Sequence, residues 1–145
     1  SLAEAMKGAD VFVGVSVANC VSEEMIRSMA EKAIVFACAN PTPEISREKA
    51  LAAGAAVVGT GSSENPNQIN NVLVFPGVFR GALDVRARDI NTEMMMAAAR
   101  GIASCVSEAQ LNPDYILPYA YDPKAHQAVA EAVARAARET GVARE

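Results

Sequence analysis

Four carboxamide side chains occupy a five-residue stretch near the middle of the chain: Asn67, Gln68, Asn70 and Asn71. A carboxamide donates and accepts hydrogen bonds without carrying a charge, so it can orient a charged ligand or satisfy the backbone groups of a loop. Buried amides without partners are costly, which makes this cluster, directly before the apolar residues 72–75, unusual. The stretch by itself leaves both interpretations open.

The segments before these amides predict the scaffold that positions them. Short apolar runs at residues 10–15, 33–39 and 55–59 are typical of strands buried in a parallel sheet. Helix signals separate the runs, because Ser22 and Ser46 are both favoured N-cap residues. The order β-α-β-α-β implies a parallel sheet with right-handed crossovers. We therefore expect an α/β fold.

Small and polar residues follow each predicted strand, at the edge where parallel sheets bind their ligands. The strand ends carry Gly14, Val15 and Ser16, then Asn40, Pro41 and Thr42, and then Thr60, Gly61 and Ser62. The amides come just after the third of these ends. This placement favours a binding site, although strand-end Gly, Ser and Asn also form plain turns.

Helices are expected to dominate the rest of the chain. The apolar run 72–75 is expected to be buried, and the Pro-Gly dipeptide at 76–77 is expected to break it. Residues 78–85 predict a tightly packed helix. Asn91 is expected to cap a further helix. Asp122 is a favoured N-cap residue and a proline follows it, so we expect the last helix to begin there.

Composition excludes several classes of function. The 145 residues are 51% hydrophobic and 21% charged, which suits one globular domain. The net charge of −4 argues against a nucleic-acid partner. No apolar run approaches the roughly 20 residues of a membrane span, so no membrane association is expected. Three widely spaced cysteines in apolar surroundings predict reduced, buried thiols and a cytoplasmic location.

The residue types most often used in catalysis are sparse. His126 lies in the amphipathic last helix without a predicted cysteine or serine partner, which favours a surface or satisfied histidine over a catalytic one. Salt bridges on or between helices are expected for Arg80, Asp84 and Arg86, with a substrate role for Arg80 as the less favoured alternative. The methionines at 94–96 are expected to fill the core. No carboxylate cluster suits a metal. We therefore expect no catalytic residue and no metal ligand in this sequence.

Residues 8–16, 36–45 and 66–87 resemble the malic enzymes, closely the smaller bacterial type. The resemblance continues through residues 90–94 and the helix after Asp122, so it covers nearly the whole chain. It implies oxidative decarboxylation of malate to pyruvate and carbon dioxide, with NAD or NADP and a divalent Mg or Mn ion. Its most specific segment is the asparagine pair followed by Phe-Pro-Gly.

The same resemblance implies roles for individual residues. Asn40 and Asn71 are expected to bind the substrate, with Asn71 at the malate carboxylate. The residues implied for the dinucleotide are Gly14, Val15, Ser16, Asn40 and Asn70. Because carbon dioxide leaves as a neutral gas, an ion pair to the departing carboxylate would stabilise the ground state more than the transition state. Neutral amide donors orient that group with less over-binding.

The expected architecture is a partial Rossmann-like three-layer domain, the second half of a doubly wound fold. Residues 1–111 are expected to form the C-terminal half of the NAD(P)-binding domain, and 112–145 a connector and helix. The first residue is Ser1 rather than Met, which suggests a piece of a longer enzyme. The family's tyrosine acid, lysine base and metal carboxylates come earlier in that enzyme, so the fragment is expected to be inactive alone. The full-length parent is expected to be a homo-oligomer.

A second hypothesis belongs to another class of function. In it the chain is a non-catalytic dinucleotide-binding or oligomerisation module that has kept the scaffold. A glycine-rich turn, a lysine and clustered carboxylates upstream would favour the enzyme.

Overall fold

The computed structural model describes residues 1–144, which divide into two compact units. The first unit contains Ser1–Asn70 and Asn112–Tyr115. The second contains residues 71–111 and the chain from 116 onward. The division predicted from the family resemblance, 1–111 and 112–145, is a different partition and stays a prediction.

A parallel sheet of three strands lies at the centre of the first unit. The strands are β1 (Val11–Gly14), β2 (Ile34–Ala37) and β3 (Val57–Thr60), in the order β1-β2-β3. Gly14 stands opposite Ala37, and Ala37 opposite Thr60, so the strands end in register. This sheet confirms the predicted α/β class. It places the three carboxyl ends side by side along one edge.

Three short helices accompany the sheet: α1 (Leu2–Met6), α2 (Glu23–Arg27) and α3 (Arg47–Ala52). The Ser22 hydroxyl accepts the Met25 N–H at 3.3 Å, and the Ser46 hydroxyl accepts the Lys49 N–H at 3.4 Å. Both predicted N-caps are therefore confirmed, because each serine satisfies an N–H that has no partner inside its helix.

The burial of β1 differs from the prediction. Residues 10–15 read as a strand buried on both faces, yet Val11 is 49% and Val13 61% exposed. Side chains alternate between the two faces of a strand, so Val11 and Val13 share one face, and the described part of this unit leaves that face of β1 exposed. Phe12 and the fully buried Val35 and Ala37 of β2 belong to the core of this unit.

The second unit is helical. It opens with one turn of 3₁₀-helix (Asn71–Leu73) and continues with α4 (Phe75–Asp84), α5 (Thr92–Ala103) and α6 (Pro123–Glu139). Helix α6 packs against both α4 and α5. Met94, Val129 and Val133 are fully buried between these helices.

The expected break at 76–77 is wrong. Both residues lie in the first turns of α4, where proline is tolerated because its missing N–H has no helical partner anyway. The tight packing expected of this helix is confirmed. A Cβ on Gly81 would lie 2.3 Å from the Ala130 carbonyl oxygen, and one on Gly77 would lie 2.7 Å from the His126 carbonyl oxygen.

Two further expectations need correction. Phe75, the last residue of the run read as buried, is 49% exposed and stacks on Phe79 with 5.7 Å between ring centroids. Of the methionine run only Met94 fills the core, since Met95 and Met96 are 53% and 51% exposed. A helix places three consecutive side chains on different faces, so one buried methionine of three is the helical outcome.

The two N-caps predicted for the second unit are confirmed. Asn91 Oδ1 accepts the Met94 N–H at 3.0 Å, and Asp122 Oδ1 accepts the Lys124 N–H at 2.9 Å.

In the part of the chain that the structure describes, no helix has the length and apolar character needed to cross a membrane.

Candidate functional site

The turns after β1 and β2 form an exposed rim at the carboxyl edge of the sheet. Val15 is 80% exposed, and Ser16 and Asn40 are also exposed, whereas Gly14 is buried. Since Gly14 pairs with Ala37 at the ends of neighbouring strands, the two turns are adjacent. The predicted residues of these turns therefore share one edge.

A buried carboxylate joins the two turns. Glu44 is 0% exposed, and its Oε1 accepts the Ser16 N–H at 2.8 Å and the Ser16 hydroxyl at 3.1 Å. Its Oε2 accepts the Ala39 N–H at 3.0 Å. No lysine or arginine of residues 1–144 forms an ion pair with it. The hydrogen bonds from the turns therefore compensate for its burial.

The backbone around Glu44 makes a second set of contacts with the turn after β1. The Asn19 N–H donates to the Pro43 carbonyl at 3.0 Å, and the Val21 N–H donates to the Glu44 carbonyl at 3.1 Å. The carboxyl group also fills the space beside Gly14, where a Cβ would lie 2.5 Å from Glu44 Cδ. Position 14 therefore has no room for a side chain.

Sequence reasoning missed Glu44. It lies between Pro43 and Ile45, directly after the proline-rich turn, and nothing in its spacing distinguishes it from an exposed carboxylate. The available signal is Gly14, a glycine at the end of β1 that leaves space for the side chain of another residue. That signal becomes specific only when the sheet is assembled.

Glu44 is ionised at neutral pH. Burial raises the pKa of its carboxyl group, but the hydrogen bonds from Ser16 and Ala39 and from its own N–H lower it more, so the pKa lies below the ordinary 4.5. For Cys38, burial and then the charge of Glu44 raise the pKa of the thiol. Cys38 is therefore held in its unreactive thiol form.

This pKa predicts an acid-dependent loss of stability. A carboxyl group whose pKa is lower in the folded than in the unfolded chain stabilises the fold above the unfolded pKa, and that contribution disappears as the pH falls through the folded pKa. We expect Glu44→Gln to be less stable than wild type at neutral pH, with the difference shrinking below about pH 4.5. Urea unfolding of both proteins at successive pH values measures it. Glu48→Gln, at an exposed position of α3, is the control and should show no such gap.

The amide stretch begins with a structural residue. Asn67 is only 5% exposed, and its Nδ2 donates to the carbonyl oxygens of Val58 at 3.1 Å and Pro113 at 2.7 Å. Of the two open interpretations, Asn67 thus takes the one in which an amide satisfies backbone groups. The Ile69 N–H then donates to the Thr60 carbonyl at 2.8 Å, which holds the following segment beside the end of β3.

The asparagine pair lies across the division between the two compact units. Asn70 is half-buried at the end of the first unit, and Asn71 is exposed in the 3₁₀ turn that opens the second. Their proposed ligand contacts therefore stay predictions. Elsewhere in the second unit, His126 Nε2 lies 2.9 Å from the Ala120 carbonyl oxygen, so its ring is satisfied.

Several other side chains are of types that can take part in catalysis or metal binding. Arg80 and Asp84 form the expected salt bridge at 2.8 Å. All three cysteines are free, as expected, but each is half-buried rather than buried. Among residues 1–144 no group of three His, Cys, Asp or Glu side chains could hold a metal ion.

The arrangement defines a class of protein. Open α/β sheets, the Rossmann-like dinucleotide-binding proteins among them, bind their ligands at the carboxyl edge of a parallel sheet. The family described as malic enzyme, NAD binding domain, matches residues 1–138. This chain belongs to the malic enzyme family, and its fold is part of the Rossmann-like domain of that family.

Known relatives agree over the whole chain. The bifunctional malic/malolactic enzyme of Bacillus subtilis (strain 168) is 60% identical over 144 residues, which are 99% of this chain and 35% of that protein. The NAD-dependent malic enzyme of Geobacillus stearothermophilus is 54% identical over 99% of this chain and 30% of its own length. The chain therefore spans about a third of the length of these relatives.

Solved structures show the same fold. The crystal structure of Entamoeba histolytica malic enzyme superimposes with a TM-score of 0.96 at 46% identity, and the match covers 99% of this chain and 30% of that one. Other relatives are named NADP-dependent malic enzymes. The family therefore includes users of both dinucleotides.

Proposed function

We propose that these residues form the C-terminal half of the NAD(P)-binding domain of an enzyme that oxidatively decarboxylates malate to pyruvate and carbon dioxide. The observation that carries the proposal is the family match over residues 1–138, combined with an exposed rim at the carboxyl edge of the sheet. The remainder of a longer malic enzyme chain supplies the acid, the base and the ligands of Mg or Mn.

The rim suits a dinucleotide by shape and polarity. We assign Gly14, Val15, Ser16, Asn40 and Asn70 to the NAD or NADP site. Val15, Ser16 and Asn40 are exposed at the strand ends, so a ligand can reach their backbone and side chains. When bound, NAD or NADP accepts the hydride that malate loses on oxidation. The residues of the rim hold and orient it.

Two asparagines are proposed to bind the substrate. We assign Asn40 and Asn71 to malate, with Asn71 donating to the carboxylate that leaves as carbon dioxide. Both side chains are exposed, and both are neutral. An amide donor orients an anionic carboxylate while binding it less tightly than an arginine would, which leaves the ground state less stabilised relative to the transition state.

Assembly and location complete the proposal. The working protein is a homo-oligomer of a longer chain in the cytoplasm, with malate and pyruvate as its small-molecule partners. The free state of Cys20, Cys38 and Cys105 supports a reducing compartment.

The isolated residues 1–145 are expected to be inactive, because the family resemblance places the acid, the base and the metal ligands of the reaction earlier in the enzyme. The measurement is malate-dependent reduction of NAD⁺ or NADP⁺ with Mn²⁺ present, for residues 1–145 and for the complete chain. Turnover by residues 1–145 would contradict the proposed division of labour. Dinucleotide binding by a complete chain that never turns over malate would favour the non-catalytic module.

A further inference from the structure

We propose that Glu44 is a positioning residue for the dinucleotide rim, and that it restricts Ser16 to ligand groups that donate hydrogen bonds. This inference rests on the proposed function, since it concerns the same edge of the sheet. Glu44 itself is fully buried and therefore touches neither dinucleotide nor malate directly.

Beyond the strand ends, the two turns are joined by the backbone bonds of Asn19 and Val21 and by the Glu44 carboxylate, which adds a bond to each turn. Ser16 is 28 residues before Glu44, whereas Ala39 is 5 residues before it. One oxygen binds each turn, at 2.8 Å from the Ser16 nitrogen and 3.0 Å from the Ala39 nitrogen. Any independent movement of either turn breaks a charge-assisted hydrogen bond in a buried place, which is costly.

The same bonds decide what Ser16 can offer a ligand. Glu44 accepts both the N–H and the hydroxyl hydrogen of Ser16, so that side chain has no hydrogen left to donate. Cys20 Sγ lies 3.5 Å from the Ser16 oxygen and then acts as the donor in that contact, so Ser16 can offer a ligand only a remaining lone pair. A phosphate oxygen, which only accepts, finds no donor on Ser16. A ribose hydroxyl or a carboxamide N–H of the dinucleotide does find an acceptor there.

The fit at Gly14 makes the arrangement specific. The carboxyl group lies where a side chain on position 14 would be, with 2.5 Å from a Cβ to Glu44 Cδ and 2.6 Å to Oε1. Glu44 thus packs against the end of β1 and accepts hydrogen bonds from the turn that follows it. The carboxylate can occupy this position only because residue 14 has no side chain.

The test uses the complete chain with Glu44→Gln. The glutamine amide has the same shape, but its NH₂ replaces one acceptor oxygen and faces a donor from one of the two turns. We expect the Kd for NAD⁺ or NADP⁺, whichever the wild type binds, to rise about tenfold, and kcat at saturating substrates to stay within about threefold. Hydrogen exchange of the Ser16 and Ala39 amides should become faster.

Ser46→Ala is the matched control. It removes the N-cap bond of α3 in the same compact unit, so it lowers stability without touching either turn. Its Kd for the dinucleotide and its exchange at Ser16 and Ala39 should equal those of wild type. Equal weakening in both variants would overturn the proposal, because it would reflect general destabilisation.

Each of the other possible results also supports or overturns the proposal. An unchanged Kd or unchanged amide exchange in Glu44→Gln would overturn the positioning role. If the wild type binds neither NAD⁺ nor NADP⁺, the proposed function fails, and amide exchange still shows whether Glu44 fastens the turns. If Glu44→Gln does not fold, Ser16→Ala removes the hydroxyl bond to Glu44 and the contact with Cys20, and it keeps the backbone bond to Glu44. It should then speed amide exchange at position 16 and weaken dinucleotide binding severalfold; no change in either would overturn the proposal.

Discussion

Replacing Asn71 with alanine in the complete chain is expected to lower kcat/KM for malate by roughly 10- to 150-fold. One hydrogen bond to a charged group contributes about 1.5–3 kcal/mol, and that energy converts directly into the loss of kcat/KM. The effect should concentrate on malate, because Asn71 is assigned to the substrate carboxylate. Steady-state kinetics with malate varied, and an equilibrium titration of the dinucleotide, measure the two sides of this expectation.

Asn70→Ala is the matched comparison for Asn71→Ala. Asn70 is half-buried at the end of the first compact unit, so its loss should lower thermal stability as well as weaken the dinucleotide. A wild-type kcat/KM for malate in Asn71→Ala would show that the carboxylate assignment is wrong. So would an equal loss of malate and dinucleotide binding.

Gly81→Ala is expected to destabilise the second compact unit by about 3 kcal/mol, at the upper end for overpacking. The added Cβ would lie 2.3 Å from the Ala130 carbonyl oxygen and 3.0 Å from Val133 Cβ. Two helix backbones would have to separate, since a backbone carbonyl cannot rotate away as a side chain does. This outweighs the gain of about 1 kcal/mol that alanine brings to a helix interior.

Hydrogen exchange of the α4 and α6 amides in the complete chain measures that local stability. Leu83→Ala is the control in the same helix, because Leu83 is 74% exposed and its loss should change stability by less than about 0.5 kcal/mol. Wild-type protection of α4 and α6 in Gly81→Ala would contradict the close approach of the two helices.

Features that depend on neighbours in the chain could be predicted from the sequence. Ser22, Ser46, Asn91 and Asp122 all cap helices as expected, because an N-cap bonds an N–H only two or three residues away. The parallel sheet was also predictable, since three apolar runs separated by helices allow few other arrangements. From that topology came the shared edge of Gly14 and Asn40.

Features that depend on distant partners could not be predicted. Glu44 looked like one more carboxylate, and its role appears only when the turns carrying Ser16 and Ala39 come together around it. Asn67 read equally well as a ligand-facing amide until Pro113, 46 residues away, supplied its partner. The Pro-Gly dipeptide at 76–77 was expected to break the apolar run before it, because the reason for the glycine at 77, the nearby backbone of α6, lies far along the chain.

The family-specific roles have a different basis. Nothing in the spacing of Asn70 and Asn71 distinguishes a malate contact from a loop contact. Their assignment comes from the resemblance, and the structure adds that Asn71 is exposed. Kinetic separation of malate from dinucleotide is therefore the appropriate test for these two residues.

Product analysis of the complete chain tests the central claim most directly. Malate labelled in the carboxyl group that the reaction removes is supplied with Mn²⁺ and NAD⁺ or NADP⁺. We expect labelled carbon dioxide, unlabelled pyruvate and reduced dinucleotide in equal amounts. Reduced dinucleotide with the label retained in oxaloacetate, or no turnover with either dinucleotide, would contradict the claim that these residues belong to a malate-decarboxylating enzyme.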